Sequence, residues 1–120
     1  MINIKLSMLL LFSLVSLLNG QSQSEMNTMA AKDFEKADRH LNRLYKALID
    51  KGDNEADKRL RETQRAWLKY VDLHLKYLFP LKDGENPKQI YGSAFSMDYA
   101  LEKTDLFYTR IIQLGGKIEK

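Results

Sequence analysis

Leu60-Arg61-Glu62-Thr63-Gln64-Arg65-Ala66-Trp67-Leu68-Lys69-Tyr70 reads as the first half of the central helix of a small helical bundle. It holds the only tryptophan of the chain and contains neither glycine nor proline. Apolar positions recur through it at helical spacing, among a dense set of basic side chains. The pattern extends to a helix from about Glu55 to Phe79, with Leu60, Gln64, Trp67, Val71, Leu75 and Leu78 inward and Leu68 and Tyr70 on the flanks. Pro80 ends it, because proline lacks the N–H and disfavours helix in the residue before it. With Trp67 buried, truncation to alanine is expected to cost about 3–5 kcal/mol.

A first helix is predicted from about Met29 to Lys51, where Phe34, Ala37, Leu41, Leu44, Tyr45, Leu48 and Ile49 recur in steps of three and four. Gly52 suits a left-handed cap, and Asn54 can cap the helix that follows. C-terminal to Pro80, residues 82–93 contain two glycines and a proline and read as a loop longer than a helix–helix turn requires. A third helix runs from about Ser93 or Ser96 to Leu114, with Met97, Leu101, Tyr108, Ile111 and Leu114 near one face and Phe107 alongside. Gly115-Gly116 ends it. The fold class is all-α: a small antiparallel three-helix bundle with a long loop between helices two and three.

Residues 1–20 have the layout of a secretory signal peptide, with Lys5 near the start, an apolar run from Leu6 to Leu18 and a small residue at Gly20. The run is short for a transmembrane span of roughly 20 residues, which leaves an uncleaved anchor as the lesser alternative. Residues 21–28 read as a flexible leader, residues 29–114 as the helical domain and residues 115–120 as a tail. There is no cysteine, which excludes disulfides, thiolate metal sites, a cysteine nucleophile and lipid attachment at cysteine. The chain carries 19 basic and 16 acidic residues. Loss of Lys5 with the signal leaves a net of +2, too slight to predict nucleic-acid binding or strong attraction to an anionic surface. Export implies a periplasmic or secreted protein with no membrane span after cleavage.

No constellation points to catalysis or a cofactor. His40 and His74 fall on different helices without a ligand partner at metal-binding spacing. Gly92-Ser93 is no nucleophile elbow, and Ser93 reads as a helix N-cap. Glu102 and Asp105 share a face with nothing to shield them. Lys58, Arg61, Arg65, Lys69 and Lys76 form a basic stripe on helix two, diluted by Glu55, Glu62 and Asp72, and read as a solvated face. On helix one, Asp38, Asn42 and Tyr45 lie at i, i+4 and i+7 beside the apolar stripe. They read as one side of an inter-helix hydrogen-bond network with Gln64 and Arg65. A polar recognition patch is the functional alternative.

Ala37-Asp38-Arg39-His40-Leu41-Asn42-Arg43-Leu44-Tyr45, then Leu60-Arg61-Glu62-Thr63-Gln64-Arg65-Ala66-Trp67, Asp72, Gly92-Ser93 and Arg110 form a series of motifs. The series resembles the LprI-type lysozyme-inhibitor family of small exported bacterial proteins, over about residues 25–114. The family's pattern implies that Asp38, Leu41, Asn42, Tyr45, Leu60, Gln64, Arg65, Trp67, Asp72 and Arg110 are motif residues, read as structural. Many members carry cysteines where Met29 and Leu75 stand here, with a third near Asp98, and the family's arginine before Asp72 is Val71.

The resemblance implies a non-enzymatic binding protein whose protein partner is lysozyme, a basic protein with an acidic cleft. The competing reading is a periplasmic protein-interaction or envelope-stress module without lysozyme contact. The loop carrying Asp83, Glu85, Tyr91 and Ser93 is the candidate partner-binding segment, as a flexible projection from a rigid scaffold.

Overall fold

Ser22 opens the first helix: its side chain accepts the backbone N–H of Glu25 at 3.1 Å, and Glu25 places negative charge in the first turn, where the helix dipole favours it. In the computed structural model, residues 22–51 and 53–118 are described. All regular structure among them is helical: α1 Gln23–Ile49, α2 Asn54–Leu78, a short α3 Pro87–Tyr91 and α4 Phe95–Gln113. The expected signal peptide with its cut after Gly20, the cap assigned to Gly52 and the last two residues of the expected tail lie outside the described residues.

One boundary and two capping residues differ from the sequence reading. Residues from Gln23 onward are helix, not flexible leader. They are polar because they serve a cap and two tertiary bonds. Gln23 Nε2 donates to Met97 Sδ at 3.9 Å, and Asn27 Nδ2 donates to the Ser93 carbonyl at 3.0 Å. Asp53 rather than Asn54 caps α2, its Oδ1 accepting the N–H groups of Glu55 and Ala56 at 3.1 and 3.2 Å. Ser93 does not cap α4. Ala94 holds that position without a side-chain bond.

The contacts set the helix directions. Along α1, Gln23 meets Met97, Phe34 meets Phe107 at 4.9 Å between ring centroids and Leu44 packs on Gly116, so α1 and α4 run the same way. α2 runs against both: Gln64 meets Arg110, Trp67 meets Phe107 and Phe79 meets Phe95 and Tyr99. The α1–α4 contact is the most extensive of the fold. Buried Ala30 and Ala37 on α1 let the two helices approach closely. The core comprises Ala37, Leu41, Val71, Leu75, Phe107 and Ile111.

The inward face of α4 is rotated from the sequence expectation. Leu101 is 46% exposed, whereas Thr104, Phe107, Arg110 and Ile111 are buried. Apolar residues lie all round α4, so spacing alone does not select a face, and packing against two helices at once widens the buried arc. Thr104 can sit inside because its hydroxyl donates to the Ala100 carbonyl of its own helix at 2.7 Å.

Candidate functional site: the groove between α1 and α2

Because α1 approaches α4 far more closely than it approaches α2, an open groove of about 410 Å³ remains between α1 and α2. Asp38, Leu41, Asn42 and Tyr45 form its α1 wall, and Arg61, Gln64, Arg65 and Leu68 its α2 wall, with Trp67 and Phe107 beneath. Both walls follow helical spacing: steps of three and four put these residues on one side of each helix. The aromatic rings hold the walls apart. Phe107 is buried and meets Phe34 and Trp67 edge to face, each at 4.9 Å between centroids. Trp67 is half-buried rather than enclosed, one side on Phe107 and the other toward the groove.

The network anticipated between Asp38, Asn42, Tyr45 and the pair Gln64 and Arg65 does not form. Asn42 Nδ2 donates to Asp38 Oδ1 of its own helix at 3.4 Å, exposed to solvent. Among the described residues no side-chain hydrogen bond bridges the two walls. Gln64 is committed in the other direction, its Oε1 accepting from Arg110 Nε at 2.9 Å. The width set by the aromatic floor explains this, since a direct bond requires about 3 Å between donor and acceptor.

Arg110 lies behind the α2 wall and is only 7% exposed. Its guanidinium sits 5.8 Å from the Trp67 ring centre, and Nη1 reaches Gln113 Oε1 at 3.4 Å. No carboxylate pairs with it among the described residues, where the ion pairs are Arg39–Glu35 and Lys76–Asp72. Its Nη2 is buried without a hydrogen-bond partner among them. Burial lowers the Arg110 pKa from its ordinary value, but an arginine remains charged at any ordinary pH.

The remaining motif residues are structural or solvated. Leu60 is half-buried. Asp72 is exposed and receives Lys76 Nζ at 2.9 Å, one turn on, an arrangement worth little in water. Of the loop candidates, Glu85 Oε1 accepts the Lys82 backbone N–H at 2.6 Å. The Tyr91 hydroxyl donates to the Pro80 carbonyl at 2.6 Å, and its ring packs on Phe79 and Phe95. The segment is thus not a flexible projection: it carries α3, which Asn86 caps at the Lys88 N–H, and it is tied to the end of α2. Asp83 and Ser93 remain exposed. Sequence reasoning missed Arg61, Leu68 and Phe107 as groove residues. The available signal was the spacing of Arg61 and Leu68 three or four residues from Gln64 and Arg65.

Among the described residues no group of His, Asp or Glu could hold a metal ion, and no helix is long and apolar enough to cross a membrane. No curated protein and no solved structure matches the chain. A family model described as lysozyme inhibitor LprI matches residues 18–114, most of its length. The two blocks that carry the resemblance, around Asp38–Tyr45 and Leu60–Trp67, lie inside that match and face each other across the groove. By that match the chain belongs to the LprI lysozyme-inhibitor family.

Proposed function

We propose that this is an exported, non-enzymatic protein that binds a protein partner, with lysozyme the partner its family points to, and that the α1–α2 groove makes the contact. One observation carries the choice of surface. Residues of both family blocks line an open groove and leave it unbridged, whereas a purely structural role would have closed them into a seam. Partner-binding groups commonly sit in such clefts on rigid elements. Asp83 and Ser93 form a second contact at the other end of α2. Glu85 and Tyr91 of the same segment are held by internal bonds.

The test is lysis of a cell-wall suspension by lysozyme in the presence of the purified mature domain. Slowed lysis that saturates with added protein supports the reading. Unchanged lysis at large molar excess removes it. In a parallel arm, the immobilised domain is offered host lysozyme and a periplasmic extract; selective retention of an endogenous protein with no lysozyme bound favours the interaction-module reading instead.

A further inference from the structure

The α2 wall of the groove carries hydrogen-bond donors that no side chain among the described residues engages. Arg61 and Arg65 stand one turn apart on its α2 wall, both exposed, and neither is in an ion pair among the described residues. Gln64 lies between them. Since a guanidinium only donates, the bond from Arg110 fixes Gln64 with its carbonyl oxygen turned inward. The amide nitrogen is therefore uncommitted: it has no protein partner among the described residues, and Gln64 lines the groove. The one carboxylate present, Asp38, stands on the opposite wall and already accepts from Asn42.

We propose that this groove receives a carboxylate borne by an acidic segment of a protein partner, bound by Arg61 and Arg65 with the Gln64 amide. This rests on the groove being the partner-binding surface. Two guanidinium groups and an amide suit a planar acceptor, because charge-assisted bonds from arginine to carboxylate are about twice as strong as neutral ones. A glycan is the poorer match. Sugar hydroxyls need acceptors as well as donors, and the α2 wall offers the Arg61 and Arg65 guanidinium groups, which only donate, beside a Gln64 oxygen already taken by Arg110.

The test uses the mature domain and a blocked hexapeptide containing two glutamates, followed by Trp67 fluorescence and calorimetry up to millimolar peptide. The expected result is saturable binding, at least tenfold weaker for the glutamine version of the peptide and similarly weakened in an Arg61→Gln/Arg65→Gln variant. A Lys58→Gln/Lys69→Gln control, altering lysines outside the groove lining, is expected to bind normally. Asp38→Asn is expected to tighten binding, because it removes the opposing carboxylate. The idea is overturned by equal binding of both peptides, by no binding at millimolar peptide, by weakening in Asp38→Asn, or by preferential binding of a muropeptide disaccharide. Circular dichroism verifies that each variant is folded. If the acidic peptide binds while lysozyme is neither bound nor inhibited, the lysozyme assignment fails and this one stands. If lysozyme binds equally well to the Arg61→Gln/Arg65→Gln variant, this inference fails while the lysozyme assignment stands.

Discussion

Trp67→Ala is the most informative single perturbation, because the side chain belongs to the core and to the groove floor at once. A fully enclosed tryptophan truncated to alanine costs about 3–5 kcal/mol. Trp67 is only half-buried, so the burial contribution falls to roughly 2 kcal/mol by the same reasoning. The edge-to-face contact with Phe107 at 4.9 Å adds about 0.5–1 kcal/mol. The Arg110 guanidinium 5.8 Å from the ring adds about 0.5 kcal/mol. The total is about 3 kcal/mol, or a fall in Tm on the order of 10–20 °C for a domain of this size. Urea unfolding followed by far-ultraviolet circular dichroism measures it, since the variant has no tryptophan to report. A double-mutant cycle with Phe107→Leu isolates the ring contact and is expected to return a coupling of about 0.5–1 kcal/mol. A loss under about 1 kcal/mol with no coupling would refute the placement of Trp67 against Phe107.

Gln64→Ala deprives buried Arg110 of its best acceptor and is expected to cost about 1–3 kcal/mol. Arg110→Met removes the desolvated charge itself and is expected to leave stability within about 1 kcal/mol of wild type; equal losses for the two in urea unfolding would contradict this. Gly116→Ala brings a Cβ to 2.7 Å from both Leu44 Cδ2 and Ile111 Cγ2, so a loss of about 1–2 kcal/mol is expected, read from thermal melts. Tyr91→Phe removes the hydroxyl bond to the Pro80 carbonyl and is expected to cost about 1 kcal/mol, with faster amide exchange confined to the segment around α3. Asp53→Ala, which uncaps α2, is expected to cost about 1 kcal/mol and to speed exchange in its first turn.

Much of this architecture was legible in the chain because it is local. The 3.6-residue recurrence of Ala37, Leu41, Val71 and Leu75 marked the buried faces of α1 and α2, and Pro80 marked where α2 must end. The helix starts were less legible, since Ser22 and Asp53 compete with neighbouring polar residues for the cap and only backbone geometry decides between them. The face of α4 was not legible. Its apolar residues surround the helix, and burial of Thr104 and Arg110 depends on a bond to its own helix and on a partner supplied by α2.

Periodicity in the chain alone points to an all-helical domain, free of cysteine, with two motif blocks on two different helices, as the described residues show. Periodicity, capping and composition are properties of neighbouring residues, and they survive without knowledge of what packs on what. Where the motif blocks lie relative to each other depends on the packing of all three long helices. Close approach of α1 to α4 and the Phe34–Phe107–Trp67 rings hold α1 and α2 apart, so Asp38, Asn42 and Tyr45 never reach Gln64. Gln64 turns to Arg110 instead, from 46 residues along the chain. What spacing alone reads as a sealed hydrogen-bonded seam is an open groove, because the distance between two helices is set by a third.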